Sequence, residues 1–362
     1  MLRTVLTCFT VLLFQAGSAA QVSDSVWPIH SPDRPHPQDV TPGSQPGAAP
    51  SDAIILFNGK TTNGWQTTIG GPALWTVHDG VLEVKPGSGD IETVQKFGDC
   101  QLHVEWAEPP SSKADDDDEG NSGVILMGLF EVQVLDSYHR QVPIYADGMG
   151  GAIYGQYPPL VNASLPPGAW QSYDILFRRP RFDSSGALLR AARITVLQNG
   201  ILVQDAVRPT GSTSWFDRAP YIDLGDQLPL VLQDHFSSVQ FRNIWVRPLP
   251  PEPEPLPPRF VVDLKPSEAD LQSFIGEYAE GPVILKIAAA EHGLVAQLGQ
   301  DYQGKYYGFS WPLHLIDKDS FLGILPDGGL PLHLGFVRDD KGAVTSAVVH
   351  QAGAFRSFAR KP

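Results

Sequence analysis

From Asn121 to Asp136 the chain reads Asn-Ser-Gly-Val-Ile-Leu-Met-Gly-Leu-Phe-Glu-Val-Gln-Val-Leu-Asp. Glu131 and Gln133 alternate with Val132 and Val134, and residues two apart on a strand share a face. One side of this stretch therefore presents a carboxylate and an amide, the other a pair of valines. A carboxylate can exchange a proton with a substrate, whereas an amide can only orient a hydroxyl or a carbonyl.

Glycosidases that use two acids set one carboxyl as nucleophile or base and the other as acid, roughly 5–5.5 Å apart when configuration is retained. A Glu-x-Asp-x-x-Glu strand would supply that pair. Here the middle position is Gln133, and Asp136 lies five residues beyond Glu131, which puts it on the opposite face unless a bulge intervenes. The spacing disfavours two-carboxylate hydrolysis.

Further candidates lie downstream. Gln233-Asp234-His235 follows the aliphatic run Leu228 to Leu232, with Gln233 and His235 on one face and Asp234 on the other. A lone histidine is either a satisfied structural residue or a proton carrier near neutral pH. Arg242, inside Phe241-Arg-Asn-Ile-Trp-Val246, either caps a sheet or offers a fixed cation to a substrate oxygen. Asp115 to Glu119 imitate the start of a calcium loop, but the twelfth place is Leu126 instead of a bidentate Glu, so a solvated loop is expected. No phosphate loop, paired-cysteine motif, His-Glu-x-x-His or nucleophile elbow is present.

The elements that must position these groups are short strands. Gly 35 and Pro 33 are high for 362 residues, which suits many strands joined by turns. Asp79-Gly80, Met127-Gly128 and Asn199-Gly200 mark tight hairpins. Strands without intervening helices from residue 54 to 247 predict an all-β, antiparallel sandwich or barrel. The polyproline run at residues 248–258 predicts a spacer, assigned as a 250–259 linker, followed at 260–362 by a small β-domain that resembles lipocalin-like appendages. Its one helix is expected near Pro266 to Phe274, capped by Ser267 with Asp270.

Residues 1–20 have a signal peptide's charge at Arg3, its short apolar core and its small-residue cleavage site, predicting a secreted or periplasmic protein. Residues 21–51 carry seven prolines and few aliphatics, and are expected to be disordered or extended. Beyond the signal only Cys100 remains, so no intramolecular disulfide can form. The net charge of −14 disfavours nucleic-acid and anionic-membrane partners, and no apolar run is long enough for a membrane span.

Leu56-Phe-Asn-Gly-Lys60 with Gly64-Trp65, Asn121-Ser-Gly123, Glu131 to Asp136, Gly151-Ala-Ile-Tyr154, Leu232-Gln-Asp-His235 and Phe241 to Arg247 occur in an order that resembles the 3-keto-disaccharide hydrolase domain. The resemblance spans 52–249. It implies a concanavalin-A-like jelly roll acting on carbohydrate oxidised at C3, with Phe236 departing from a glycine common in that family. A C3 ketone acidifies the C2 proton, so one base can start an elimination that expels the C1 substituent, with or without hydration. On this reading Glu131 or His235 is the base, with Gln133 and Arg242 orienting and polarising the ketone. Asn121, Asp136, Tyr154, Gln233 and Asp234 contact the sugar. A divalent metal held by Glu131 and His235 could replace Arg242. The alternative is a non-catalytic carbohydrate-binding module with Trp65, Trp75 and Tyr154 as platforms.

Overall fold

The computed structural model describes residues 30–110, 120–139, 145–252, 264, 266–303, 305–324, 330–351 and 353–362. Residues 1–20, read above as a signal peptide, the acidic run Asp115 to Glu119 and most of the linker lie outside the described residues. The chain divides into two compact units, Met1–Glu254 and Pro255–Pro362, with the division inside the proline-rich run.

In chain order the first unit contains β1 (Ile54–Phe57), β2 (Trp65–Thr67), β3 (Thr76–His78), β4 (Val81–Glu83) and β5 (Ile91–Phe97). Then come β6 (Cys100–Ala107), β7 (Ser122–Leu126), β8 (Phe130–Val134), β9 (Gln171–Arg178) and β10 (Arg181–Phe182). The last five are β11 (Leu188–Arg190), β12 (Arg193–Gln198), β13 (Ile201–Val207), β14 (Leu228–Leu232) and β15 (Gln240–Pro248). An eight-stranded antiparallel sheet runs β13-β12-β9-β6-β15-β4-β3, with β1 also on β15. A five-stranded sheet runs β2-β5-β14-β7-β8. The all-β jelly-roll expectation holds.

The two sheets meet through a continuous apolar core. Val124, Phe130, Val132, Val134 and Leu232 come from the smaller sheet, and Val104, Trp106, Tyr173, Phe177 and Phe241 from the larger. Burying each such side chain contributes on the order of 2 kcal/mol. Trp65 and Trp75 belong to this core, and their indole N–H groups donate to the carbonyls of Leu56 and Gly89. They are therefore not sugar platforms.

The three hairpin signals are realised. Asp79-Gly80, Met127-Gly128 and Asn199-Gly200 all take positive φ and join β3–β4, β7–β8 and β12–β13. Alternation in β15 fails at Asn243, whose φ is 45°, where the register with β6 shifts. This bulge turns Phe241, Ile244 and Val246 into the core and leaves Arg242, Asn243 and Trp245 on the outer face.

Residues 30–51 form neither helix nor strand, and the stretch around Gly47 is tied down. The Gly47 carbonyl accepts hydrogen bonds from Asn243 Nδ2 at 2.8 Å and Trp245 Nε1 at 2.9 Å. Residues around Gly47 thus strap the outer face of the larger sheet. The anchors are polar groups two hundred positions away, invisible to local composition.

The second unit opens with α1 (Glu268–Gln272), whose Ser267–Asp270 capping box is formed as expected. Eight strands follow: β16 (Gly276–Glu280), β17 (Val283–Ala290), β18 (Gly293–Tyr302), β19 (Lys305–Asp317), β20 (Ser320–Gly323), β21 (Leu332–Arg338), β22 (Val344–Gln351) and β23 (Ala354–Arg360). They close an up-and-down barrel around its own core, in which Phe274, Tyr278, Trp311, Phe336 and Phe358 are buried. Among the described residues of both units no helix is long and apolar enough to cross a membrane.

Candidate functional site

The smaller sheet buries one face, so the residues of opposite parity line its outer face. Register aligns them in rows. One row runs Gln66, Glu92, Val231, Ile125 and Glu131, each opposite the next. The adjoining row holds Gln233, Gly123 and Gln133: the Gln233 N–H donates to the Gly123 carbonyl at 3.1 Å, and Gly123 pairs with Gln133. Asp90, just before β5, extends this row, its Oδ1 accepting the Asp234 N–H at 2.8 Å.

Glu131 is the focus of the face. Only 8% of it is exposed, and a Cβ added to Gly123 would lie 2.5 Å from its Oε1. Glycine on the neighbouring strand thus gives the carboxylate its resting place. Burial, with a lesser contribution from the nearby Asp90 charge, pushes the Glu131 carboxyl up to about 7. Asp90 is itself raised, first by burial; its bond from the Asp234 backbone opposes this, the Asp234 charge adds to it, and His235 lowers it. Four ionisable groups, Glu131, Asp90, Asp234 and His235, are therefore linked electrostatically. A carboxyl poised near neutrality can both accept and release a proton there.

Two amides flank this base. Gln133 donates from Nε2 to Asn121 Oδ1 at 3.0 Å, while its Oε1 and the Gln233 Oε1 are buried without a partner among the described residues. An unsatisfied buried acceptor costs about 1–3 kcal/mol, a cost that a hydroxyl-bearing ligand would offset. Tyr154 adjoins the same strand. Ile153 bridges core-facing Val132, and the Tyr154 N–H donates to the Glu131 carbonyl at 3.2 Å. Tyr154 thus stands opposite Glu131 across the edge of β8.

Asp234 works through the backbone: Oδ2 accepts the Gly89 N–H at 2.9 Å and Oδ1 the Phe236 N–H at 3.0 Å. It fixes the turn that carries His235 and stitches it to the Asp90 loop. Phe236 sits at φ 60°, a left-handed conformation, which gives the physical reason a glycine suits that position.

Two expected residues are elsewhere. Arg242 lies on the outer face of the larger sheet, where Nε donates to Glu105 Oε2 at 2.6 Å and the guanidinium covers the Trp170 ring at 3.9 Å. The place of β15 in the larger sheet keeps it from the Glu131 face. Asp136 is buried on the core side beside Glu108; a Cβ on Gly120 would touch both side chains. Burial pushes the Glu108 carboxyl up to about 8, with a lesser contribution from Asp136. Asp136 Oδ1 accepts the Tyr138 N–H at 3.1 Å, while Glu108 accepts from Gln171 Nε2 at 3.0 Å. Among the described residues no group of three or more His, Cys, Asp or Glu is placed to hold a metal ion.

Asp90 was not legible in the sequence. Its only signal is the period-two pattern of Ile91-Glu-Thr-Val-Gln-Lys-Phe97 after it, in which Ile91, Thr93 and Phe97 face inward.

A 42% identical candidate glycosyl hydrolase from Parabacteroides distasonis superposes with a TM-score of 0.57, covering 61% of this chain and 95% of that one. A second candidate glycosyl hydrolase from the same organism is 23% identical, with a TM-score of 0.42 over 55% of this chain and 94% of its own. No curated protein matches. A family profile described as the 3-keto-alpha-glucoside-1,2-lyase-like domain matches residues 52–247, the whole sandwich from β1 to β15. More than half of the sequence lies in that match, and the chain belongs to the 3-keto-alpha-glucoside-1,2-lyase-like domain family.

Proposed function

We propose that the sandwich is a carbohydrate-active enzyme that cleaves 3-keto-glycosides by elimination, with Glu131 as the general base. The observation that carries this reading is a single buried carboxyl raised to about 7 on an open sheet face, flanked by amide acceptors and not by a second acid at strand spacing. A passive sugar platform has no use for such a proton affinity.

Glu131 takes the C2 proton, made acidic by the C3 ketone, and the C–H electron pair becomes an enolate. As the ketone re-forms, the pair moves to the C1–C2 bond and the C1–O bond breaks, its electrons leaving with the oxygen. His235 gives that oxygen a proton as the bond breaks. Addition of water across the double bond, its oxygen to C1 and a proton to C2, would complete net hydrolysis. Gln133 and Gln233 orient the hydroxyls and the ketone. Removal from bulk water strengthens each of these contacts.

The test compares methyl 3-keto-α-glucoside with methyl α-glucoside by NMR. The expected outcome is methanol release from the keto sugar only, abolished in Glu131→Gln. Equal cleavage of both sugars, or cleavage of neither, contradicts the proposal.

A further inference from the structure

Beside the Glu131 face lies a second feature to which no role has yet been given. A cleft of about 390 Å³ is lined by Tyr145, Tyr154, Trp215, Phe216, Asp217 and Arg218. Its position follows from backbone bonds to the edge strand β8. The Tyr154 N–H reaches the Glu131 carbonyl, the Glu131 N–H donates to Thr213 Oγ1 at 3.1 Å, and the Thr213 N–H reaches the Leu129 carbonyl at 2.8 Å. The segments carrying Tyr154 and Trp215 are thus fastened to the strand that bears the candidate base. Tyr154 stands opposite Glu131 across that pairing, which ties one wall of the cleft to the strand bearing the carboxylate.

Its chemistry is specific. The Trp215 and Tyr154 rings lie within 20° of parallel at 6.4 Å, and Tyr145 meets Trp215 edge-on at 5.9 Å. Trp215 is 63% and Phe216 91% exposed, although together they carry several hundred Å² of apolar surface that water covers unfavourably. Asp217 and Arg218 add hydrogen-bonding groups of both signs. Flat rings with polar groups at the margin suit a ligand that is itself a ring with an apolar face.

We infer that this cleft is the leaving-group subsite: it holds the C1 substituent of the glycoside, a ring with an apolar face, stacked on Trp215 and Tyr154 while Glu131 acts on C2. Ring substituents come from two sources, an aryl alcohol or a second pyranose, and both present such a face. The inference rests on the function proposed for Glu131, and it makes Trp215 a determinant of specificity, remote from the reacting atoms.

The experiment uses the full chain and three substrates sharing one 3-keto-glucosyl group: the methyl, 4-nitrophenyl and glucosyl glycosides. Trp215→Ala is expected to lower kcat/KM at least tenfold for a ring-bearing substrate and less than twofold for the methyl glycoside, with Trp215→Phe restoring most of the loss. Loss on the nitrophenyl compound alone identifies an aryl group, loss on the glucosyl compound alone a sugar, and loss on both the shared ring face. Equal loss on all three, or none, overturns the subsite. If the unaltered protein turns over none of them, the assignment of Glu131 fails separately. The subsite is then decided by calorimetric binding of 4-nitrophenyl against methyl glucoside: a preference for the aryl compound that Trp215→Ala abolishes supports it, and no preference overturns it.

Discussion

At the scale of single residues the site is defined by proton affinity and by the absence of one Cβ. Glu131 is held near 7 by burial and by Asp90, so kcat/KM should rise with pH through about 7 as the base form accumulates. Asp90→Asn removes the neighbouring charge and should move that limb to lower pH, which a pH–rate profile checks. Gly123→Ala would drive a methyl to 2.5 Å from Oε1; turnover should fall at least tenfold while the circular dichroism spectrum of the sheet persists. The Glu108 carboxyl has a linked consequence for stability. Its folded pKa of about 8 exceeds the ordinary 4.5, so the unfolded chain releases that proton first. Stability is then fully present below about 4.5 and declines as pH rises to about 8, by up to on the order of 4 kcal/mol. Glu131 contributes the same sign over a narrower window. Urea titrations from pH 5 to 9 should show the slope, and Glu108→Gln should remove the larger part of it.

Among the elements, the hairpins and the polar strand were readable because their causes are local. Asn-Gly and Asp-Gly pairs tolerate positive φ, and alternation at Glu131 and Gln133 needs only the period of a strand. Asp90 meets Asp234 only because β5 pairs with β14 across more than a hundred residues. Arg242 lies away from Glu131 because β15 belongs to the larger sheet, and the bulge at Asn243 inverts only the parity of Ile244 and Val246 after it. Neither register nor bulge is written in the neighbouring sequence. Asn243 also ties the strap to β15 and donates to Glu105 Oε1 at 2.7 Å. Asn243→Ala loses both bonds and strains a left-handed backbone, for a loss of about 2 kcal/mol. Limited proteolysis should then cut near Gly47. Turnover at Glu131, on the other sheet, should be unchanged.

At the scale of the molecule, the sandwich and the barrel have separate cores. The family match covers only the sandwich, so a chain ending at Glu254 should fold, unfold cooperatively, and keep the activity proposed for Glu131. The second unit should account for a separate calorimetric transition that vanishes on truncation. The central claim is that one buried carboxyl removes the C2 proton of a keto sugar, and the fate of that hydrogen tests it most directly. With a 3-keto-glucoside in deuterated water, the account predicts that the C2–H signal disappears as the C1 substituent is released, and that Glu131→Gln leaves both untouched. Release of the substituent with the original C2 hydrogen retained, or full activity in Glu131→Gln, would contradict it.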